Sequence, residues 1–260
     1  MEKKHDLLII IPAHNEEKNL LRLLERMRAD GIDALADVLV IDDASTDGTA
    51  EAARRGGTGC ISLICNLGYG NALQTGYRFA YTKGYDYLIQ MDADLQHDPC
   101  NIPVISKALR TPCGEDGRGP DIVLGSRFME GSSAYDPGIM KRIGFRWFRF
   151  LVRLMGGGDL ADATTGLQGL SRRAFGRYAE FDCFDAEYPD ANMILEMSLL
   201  GYQVLQIPAV MHMRTIGTGM HSGLWKPVNY MVRSTVAVAI ARIRVGLRRG
   251  RPALAPGSIN

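Results

Sequence analysis

Five short apolar runs, each closed by polar residues, mark the first half of the chain. They are LLIII (7–11, ended by Pro12), DVLVIDD (37–43), CISLIC (60–65), YDYLIQMD (85–92) and DIVLGS (121–126). The runs are continuous rather than alternating, which suits strands buried on both faces of a sheet. Helical spacing fills the gaps. Leu20, Leu21, Leu23, Leu24 and Met27 form an apolar face within 15–27, where Asn15 is a good cap. Ser45, Thr46 and Asp47 can cap a helix running to about Arg55, and Asn66 with several glycines leads into a helix over 71–83. Strand and helix thus alternate with short connections through residue 126. This predicts an α/β fold with a doubly wound, mostly parallel sheet.

The second half reads differently. In 139–155, Arg142, Arg146, Arg149 and Arg153 recur at helical spacing with aromatic and aliphatic residues on the other face. DATTGLQGLS (162–171) reads as a loop. Helices follow near 172–180 and 190–200, a strand at 202–208, and a long basic amphipathic segment from Lys226 to Arg249. The pattern divides the chain into 1–126, 127–215 and a basic tail, 216–260.

Composition narrows the classes. Net charge is +1, so no overall field draws in nucleic acid. The five cysteines are odd in number and lack C-x-x-C spacing, so neither a disulfide framework nor a zinc site is indicated. The start of the chain does not read as a signal peptide. No run of about 18 apolar residues suggests a bilayer-spanning helix. A reduced, cytoplasmic protein is expected.

Ligands of doubly wound sheets sit beyond the carboxyl ends of the strands. Here those ends read Pro12-Ala13-His14-Asn15-Glu16, Asp42-Asp43, Asn66-Leu67-Gly68, Asp92-Ala93-Asp94 and Gly125-Ser126-Arg127. The concentration of polar groups at one edge is the main physical signal. Asp92, Asp94 and Gln96 alternate, which on an extended segment puts three hard oxygen donors on one side, suited to Mg²⁺ or Mn²⁺. Asp98 fits the turn with Pro99, and His97 fits either reading. Asp42 is well placed for a base or ribose hydroxyl, and Pro12–Glu16 for a helix start and a nucleotide wall together. The glycines of Asn66–Asn71 lack the G-x-G-x-x-G pattern and suit close backbone approach to a ligand or a tight turn. Arg127 could clamp a diphosphate. Thr164 and Thr165 fit a plain turn or an acceptor pocket equally.

Taken together, IIIPAHNEE, VIDDASTDGT, NLGYGNALQTG, QMDADLQHDP, VLGSRF and DATTGLQGLSRRAF resemble the family-two glycosyltransferases of GT-A fold. The polyprenyl-phosphate (dolichol-phosphate mannose synthase-like) sugar transferases are the nearest branch. The resemblance implies inverting, metal-dependent transfer from a GDP- or UDP-sugar to a polyprenyl phosphate. It implies a nucleoside site at Pro12, Ala13, Asn15, Glu16 and Asp42, extended by Asn66, Gly70 and Ala93. The metal set would be Asp92, Asp94 and Gln96, and the phosphate-binding arginines Arg127, Arg142 and Arg214. Arg146, Thr164 and Thr165 would add to the acceptor site. There are departures: Arg146 replaces a frequent serine, TSGFR has become Thr164-Thr165-Gly166-Leu167-Gln168, and terminal transmembrane helices of several relatives are not seen. A saccharide acceptor in polysaccharide assembly is the alternative and would need a carboxylate base, Glu187 or Asp190. A nucleotidyltransferase shares the alternating fold. The basic segments at 143–155 and 226–249, with Trp147, Phe148, Phe150 and Trp225, suit helices lying on a membrane's cytoplasmic face. A packed helix or oligomer interface is the plainer reading. A homo-oligomer and a small membrane-protein partner remain open.

Overall fold

The computed structural model describes residues 1–113, 117–132, 139–187, 189–213 and 225–249. Arg214 lies outside them, as do the side chains of Trp225, Arg248 and Arg249. The sheet has seven strands: β1 (Leu7–Ala13), β2 (Asp37–Asp42), β3 (Gly59–Ser62), β4 (Tyr87–Gln90), β5 (Ile122–Ser126), β6 (Gln168–Ser171) and β7 (Val204–Pro208), in the order β3-β2-β1-β4-β6-β5-β7. The helices are α1 (Glu17–Ala29), α2 (Thr49–Arg55), α3 (Tyr69–Thr82), α4 (Asn101–Arg110), α5 (Ile139–Leu154), α6 (Arg172–Ala179), α7 (Ala191–Leu199) and α8 (Trp225–Arg249).

The β1 residues alternate between two cores. Leu8 and Ile10 pack with Leu73, Tyr77, Phe175 and Tyr178 on the face covered by α3 and α6. Leu7, Ile9 and Ile11 pack with Leu20, Leu23, Ile102 and Ile105 on the face covered by α1 and α4. Burial on both faces is why the strand reads as an unbroken apolar run. Pro12 does not end β1; it pairs in register with Ile41. Its missing N–H falls on the β4 side, where pairing has already stopped at Ile10 opposite Gln90, so no ladder bond is lost.

The sheet is mixed. Strand β6, part of what the sequence reads as a loop, lies antiparallel between β4 and β5. Its reversed direction matters for the site. The 162–167 connection enters β6 at the edge where β4 and β5 end, which brings Asp162, Thr164 and Gly166 to the strand termini that carry the acids.

Candidate active site

The edge is built as a set of interlocked loops. Asn15 is not a helix cap: α1 starts at Glu17, and Asn15 takes a left-handed conformation with φ 55°. Its Oδ1 accepts the Thr46 N–H at 2.8 Å, fastening the β1 loop to the β2 loop. The α2 cap is likewise displaced. Gly48 stands at the N-cap, and Asp47 accepts the Thr49 N–H at 3.0 Å and the Glu17 N–H at 3.2 Å. Pro12 and Ala13 close β1 and are buried. The Glu16 amide donates to Thr49 Oγ1 at 2.9 Å.

The adjacent acids of the second strand end divide their work. Asp43 accepts the Leu67 and Gly68 N–H groups, one per carboxylate oxygen, both at 2.8 Å, and so holds the β3–α3 loop. Asp42 accepts the Ser45 N–H at 3.0 Å through Oδ1. His14 joins the same network. Its Nδ1 donates to the Asp43 carbonyl at 2.8 Å, leaving Nε2 to accept from the Asn66 side chain at 3.2 Å. At Gly70 the close approach is to the chain itself, since a Cβ there would stand 2.1 Å from the Ala186 carbonyl oxygen. That contact sets the segment carrying Ala186 and Glu187 against the start of α3.

The acid-rich motif is not extended as the alternation suggests. Strand β4 stops at Gln90, and Leu95 adopts φ 64°, turning the chain. Asp94 accepts the Gln96 backbone N–H at 3.0 Å, and the Gln96 side-chain amide also donates to it. Asp92 accepts the Tyr69 hydroxyl at 2.9 Å. The Asp92 N–H donates to His97 Nδ1 at 3.1 Å, which leaves the proton on Nε2, 3.7 Å from the Asp92 carboxylate. Gly166 lies against this group: a Cβ there would sit 2.9 Å from Asp92 Oδ2. Burial raises the Asp92 pKa, and Asp94 adds to the rise; His97, the Tyr69 hydroxyl and Arg127 pull it back. Burial, then the charge of Asp92 and its hydrogen bond, hold the Tyr69 phenol well above its ordinary value, so it stays a donor. Asp190 contributes to the same rise, which puts it within electrostatic reach of this cleft.

Arg127 leaves β5 into a fitted seat. Its Nε and Nη2 donate to the two oxygens of Asp162, both at 2.6 Å, and Nη2 also reaches Thr164 Oγ1 at 3.1 Å. The Asp162 side chain is 0% exposed and that of Arg127 15%. Phe145 of α5 covers the guanidinium at 4.5 Å from its ring centroid. Positions 142, 145 and 146 share one side of a helix. Arg142 and Arg146, both exposed, therefore flank the ring that seats Arg127. Thr165 is a correction: its hydroxyl is buried and donates to the Gly125 carbonyl at 2.7 Å, so it secures the loop and does not face an acceptor.

Among the described residues no cluster of three or more His, Cys, Asp or Glu side chains could enclose a metal. The donors present are two carboxylates, Asp92 and Asp94, with an amide beside them. That set fits an ion such as Mg²⁺ or Mn²⁺, which takes one or two protein carboxylates and completes its shell with water and substrate phosphates. Tyr69, Asp162 and Gly166 contribute to this geometry without a role expected from the sequence, whereas Asp43 was legible only as one of two acids at a strand end and His97 fitted either reading.

The crevice between the parallel strands β1 and β4, with carboxylates at the strand ends and a seated arginine after β5, is the ligand site of a doubly wound α/β fold. Glycosyl transferase family 2 matches residues 8–179, and the chain belongs to that family; it is a glycosyltransferase. Similar chains include the undecaprenyl-phosphate mannosyltransferase of Micrococcus luteus, 32% identical over 84% of this chain and 88% of that one. Another is the polyprenol monophosphomannose synthase of Mycolicibacterium smegmatis, 24% identical over 83% of this chain and 81% of that one. Among solved structures, glucosyl-3-phosphoglycerate synthase from Mycobacterium tuberculosis, crystallised with Mn²⁺ and UDP, superposes with a TM-score of 0.65 at 18% identity. The match covers 92% of this chain and 80% of that one and establishes the shared GT-A fold.

Proposed function

We propose that the protein transfers a sugar from a GDP- or UDP-sugar to a polyprenyl phosphate at a membrane surface, with inversion at the anomeric carbon. The observation that carries the reading is the single edge that gathers Asp42, Asp92, Asp94 and Arg127, in a chain similar over more than four-fifths of its length to two transferases named for polyprenyl acceptors.

The residues take these roles. Pro12, Ala13, Asn15, Glu16 and Asp42 receive the nucleoside, with Asn66, Gly70 and Ala93 beside it. Asp92 and Asp94, with Gln96 adjacent, would hold a divalent cation that supplies positive charge against the donor diphosphate. Arg127, fixed by Asp162 and Phe145, presents its charge without needing to reorganise, which is the condition for stabilising charge that develops on the leaving diphosphate. Arg142 and Arg146 supply charge for the acceptor phosphate, and Arg214 adds charge at the donor phosphates. A phosphate monoester with second pKa of about 6 is an anionic nucleophile near neutral pH, so no general base is required. Its oxygen bonds to the anomeric carbon as the bond from that carbon to the diphosphate breaks. A hydroxyl acceptor would instead call on Asp190.

The apolar surface supports a lipid acceptor. No described helix is long and apolar enough to cross a membrane. Exposed Ile143, Trp147, Phe150 and Leu154 nevertheless form a stripe on α5, and exposed Val232, Val236, Ile240, Ile243 and Leu247 form one on α8. The indole N–H of Trp147 donates to Thr235 Oγ1 at 2.9 Å and joins the helices.

The test is a donor screen with Mn²⁺ or Mg²⁺ and polyprenyl phosphate. Release of nucleoside diphosphate with an organic-soluble, mild-acid-labile product is expected. An acid-stable sugar linkage would move the acceptor to a saccharide, and pyrophosphate release would make the enzyme a nucleotidyltransferase.

A further inference from the structure

The segment that leaves β7 is fastened to the acid-rich loop at every second residue. The Val210 N–H donates to Asn101 Oδ1 at 2.9 Å, and Asn101 Nδ2 donates back to the Val210 carbonyl at 2.7 Å. The Asp98 N–H reaches the same carbonyl at 3.3 Å, and the His212 N–H reaches the Gln96 carbonyl at 2.8 Å. Met211 and His97 form an antiparallel bridge between these contacts. The side chains repeat the pattern. His212 Nε2 donates to Asp98 Oδ2 at 2.6 Å, where Arg26 Nη2 from α1 also donates at 2.6 Å. Asp98 Oδ1 takes the Cys100 N–H at 3.0 Å at the head of α4. Its carboxylate is 3% exposed although His212 is 45% exposed, so a buried acid is held by a half-open partner.

The other side of this loop is the donor site. Gln96, whose carbonyl His212 grips, holds Asp94 through its own backbone and side-chain amides. His97, whose backbone bridges Met211, holds Asp92 through its ring. Two short irregular segments would each lose conformational freedom on closing around a diphosphate. Joined, they lose it once, on folding.

We propose that Asn101 and His212 are positioning residues that couple the strand-exit segment 209–213 to the Asp92–Asp98 loop, so that the donor-binding carboxylates are set before the nucleotide arrives. The inference rests on the reading of Asp92 and Asp94 as the cation and diphosphate site. Its signature is a weakening of donor binding with turnover largely kept, because neither residue touches the reacting atoms.

The experiment uses the full chain, with His212→Ala, Asn101→Ala and the rescue variant His212→Gln, which keeps a side-chain N–H for Asp98. UDP and GDP are titrated in turn with Mn²⁺ by calorimetry, and KM and kcat are measured with the corresponding donor. His212→Ala is expected to weaken nucleotide binding and raise donor KM at least about fivefold, the lower end of ordinary coupling between sites. Its kcat stays within about twofold, and His212→Gln recovers most of the loss. Amide exchange at Val210 and His212 should already be slow in the nucleotide-free wild type, change little on adding nucleotide and Mn²⁺, and be faster in either nucleotide-free alanine variant. Wild-type binding that both alanine variants leave unchanged overturns the coupling alone, as does a fall in kcat at constant KM. Binding of neither nucleotide to the wild type overturns the donor-site reading and the coupling with it.

Discussion

Asp92 shows how one carboxylate is tuned by neighbours that contribute no donor of their own to a cation. Burial raises its pKa from the ordinary 3.8, and the Tyr69 hydroxyl, donating at 2.9 Å, pulls it down. A cation binds the ionised form, so a raised pKa carries the loss of affinity to higher pH than for a solvated aspartate. Removing the phenol removes a contact that favours the ionised form. In Tyr69→Phe the acidic limb of Mn²⁺ binding should therefore move upward in pH, while affinity on the alkaline plateau changes by less than about tenfold, the upper end of one hydrogen bond's net worth. Paramagnetic relaxation of water by Mn²⁺, followed against pH, reads both quantities. A limb that moves downward would mean that Tyr69 does not act on Asp92 as the geometry implies. Asp162 shows a similar economy at Arg127: a carboxylate with no exposed surface spends both oxygens on one guanidinium, so the arginine's position is set by a residue 35 positions later in the chain, beyond α5.

At the scale of elements, packing decides several features that local pattern hides. Gly70 opens α3 where the helix meets the Ala186 backbone, and its missing Cβ is what lets that backbone come so close. Gly70→Ala places a carbon 2.1 Å from a carbonyl oxygen that cannot rotate aside. Overpacking of this kind costs about 1–3 kcal/mol. Urea unfolding should show that loss. An unchanged midpoint would mean that the Ala186 backbone yields freely. The long apolar runs were legible because burial on two faces removes alternation, and the acids at their ends were legible because a strand terminus has no other use for them. Strand β6 was not: Gln168-Gly169-Leu170-Ser171 has one large apolar residue and no β-branched one, and it becomes a strand because β4 and β5 leave a slot between them. Helix α4 was missed although Ile102, Ile105 and Leu109 lie at helical spacing; Pro103, tolerated in the first helical turn, breaks the look of the pattern. Within the site, the holding role of Asp43 was hidden in sequence, because the backbone amides that occupy it belong to Leu67 and Gly68, 24 and 25 residues further along the chain.

Across the whole molecule, the exposed apolar stripes of α5 and α8 are the feature on which the proposed membrane site rests. Their residues recur at intervals of three and four, so each helix presents one row. Arginines stand beside the rows: Arg142, Arg146, Arg149 and Arg153 on α5, and Arg233 and Arg242 on α8. A helix with a basic polar face and an apolar row lies in the headgroup region of an anionic bilayer. The helix links that surface to the cleft: Phe145, the ring 4.5 Å from the Arg127 guanidinium, lies on the side of α5 away from the row, and Arg142 and Arg146 stand between the two. An acceptor held by its hydrocarbon chain in the bilayer would then present its phosphate to the arginines at the start of α5 without leaving the membrane. Burying one isoleucine side chain is worth about 1.5–3 kcal/mol, so replacing one that inserts by a charged group weakens partition at least about tenfold. Ile240→Asp and Ile243→Asp should each lower binding to vesicles of mixed phosphatidylglycerol and phosphatidylcholine by that factor, raise the KM for polyprenyl phosphate, and leave hydrolysis of the nucleotide-sugar in detergent unchanged. Binding that survives both changes and falls only with salt would assign membrane contact to the arginines and leave the apolar rows to a protein partner.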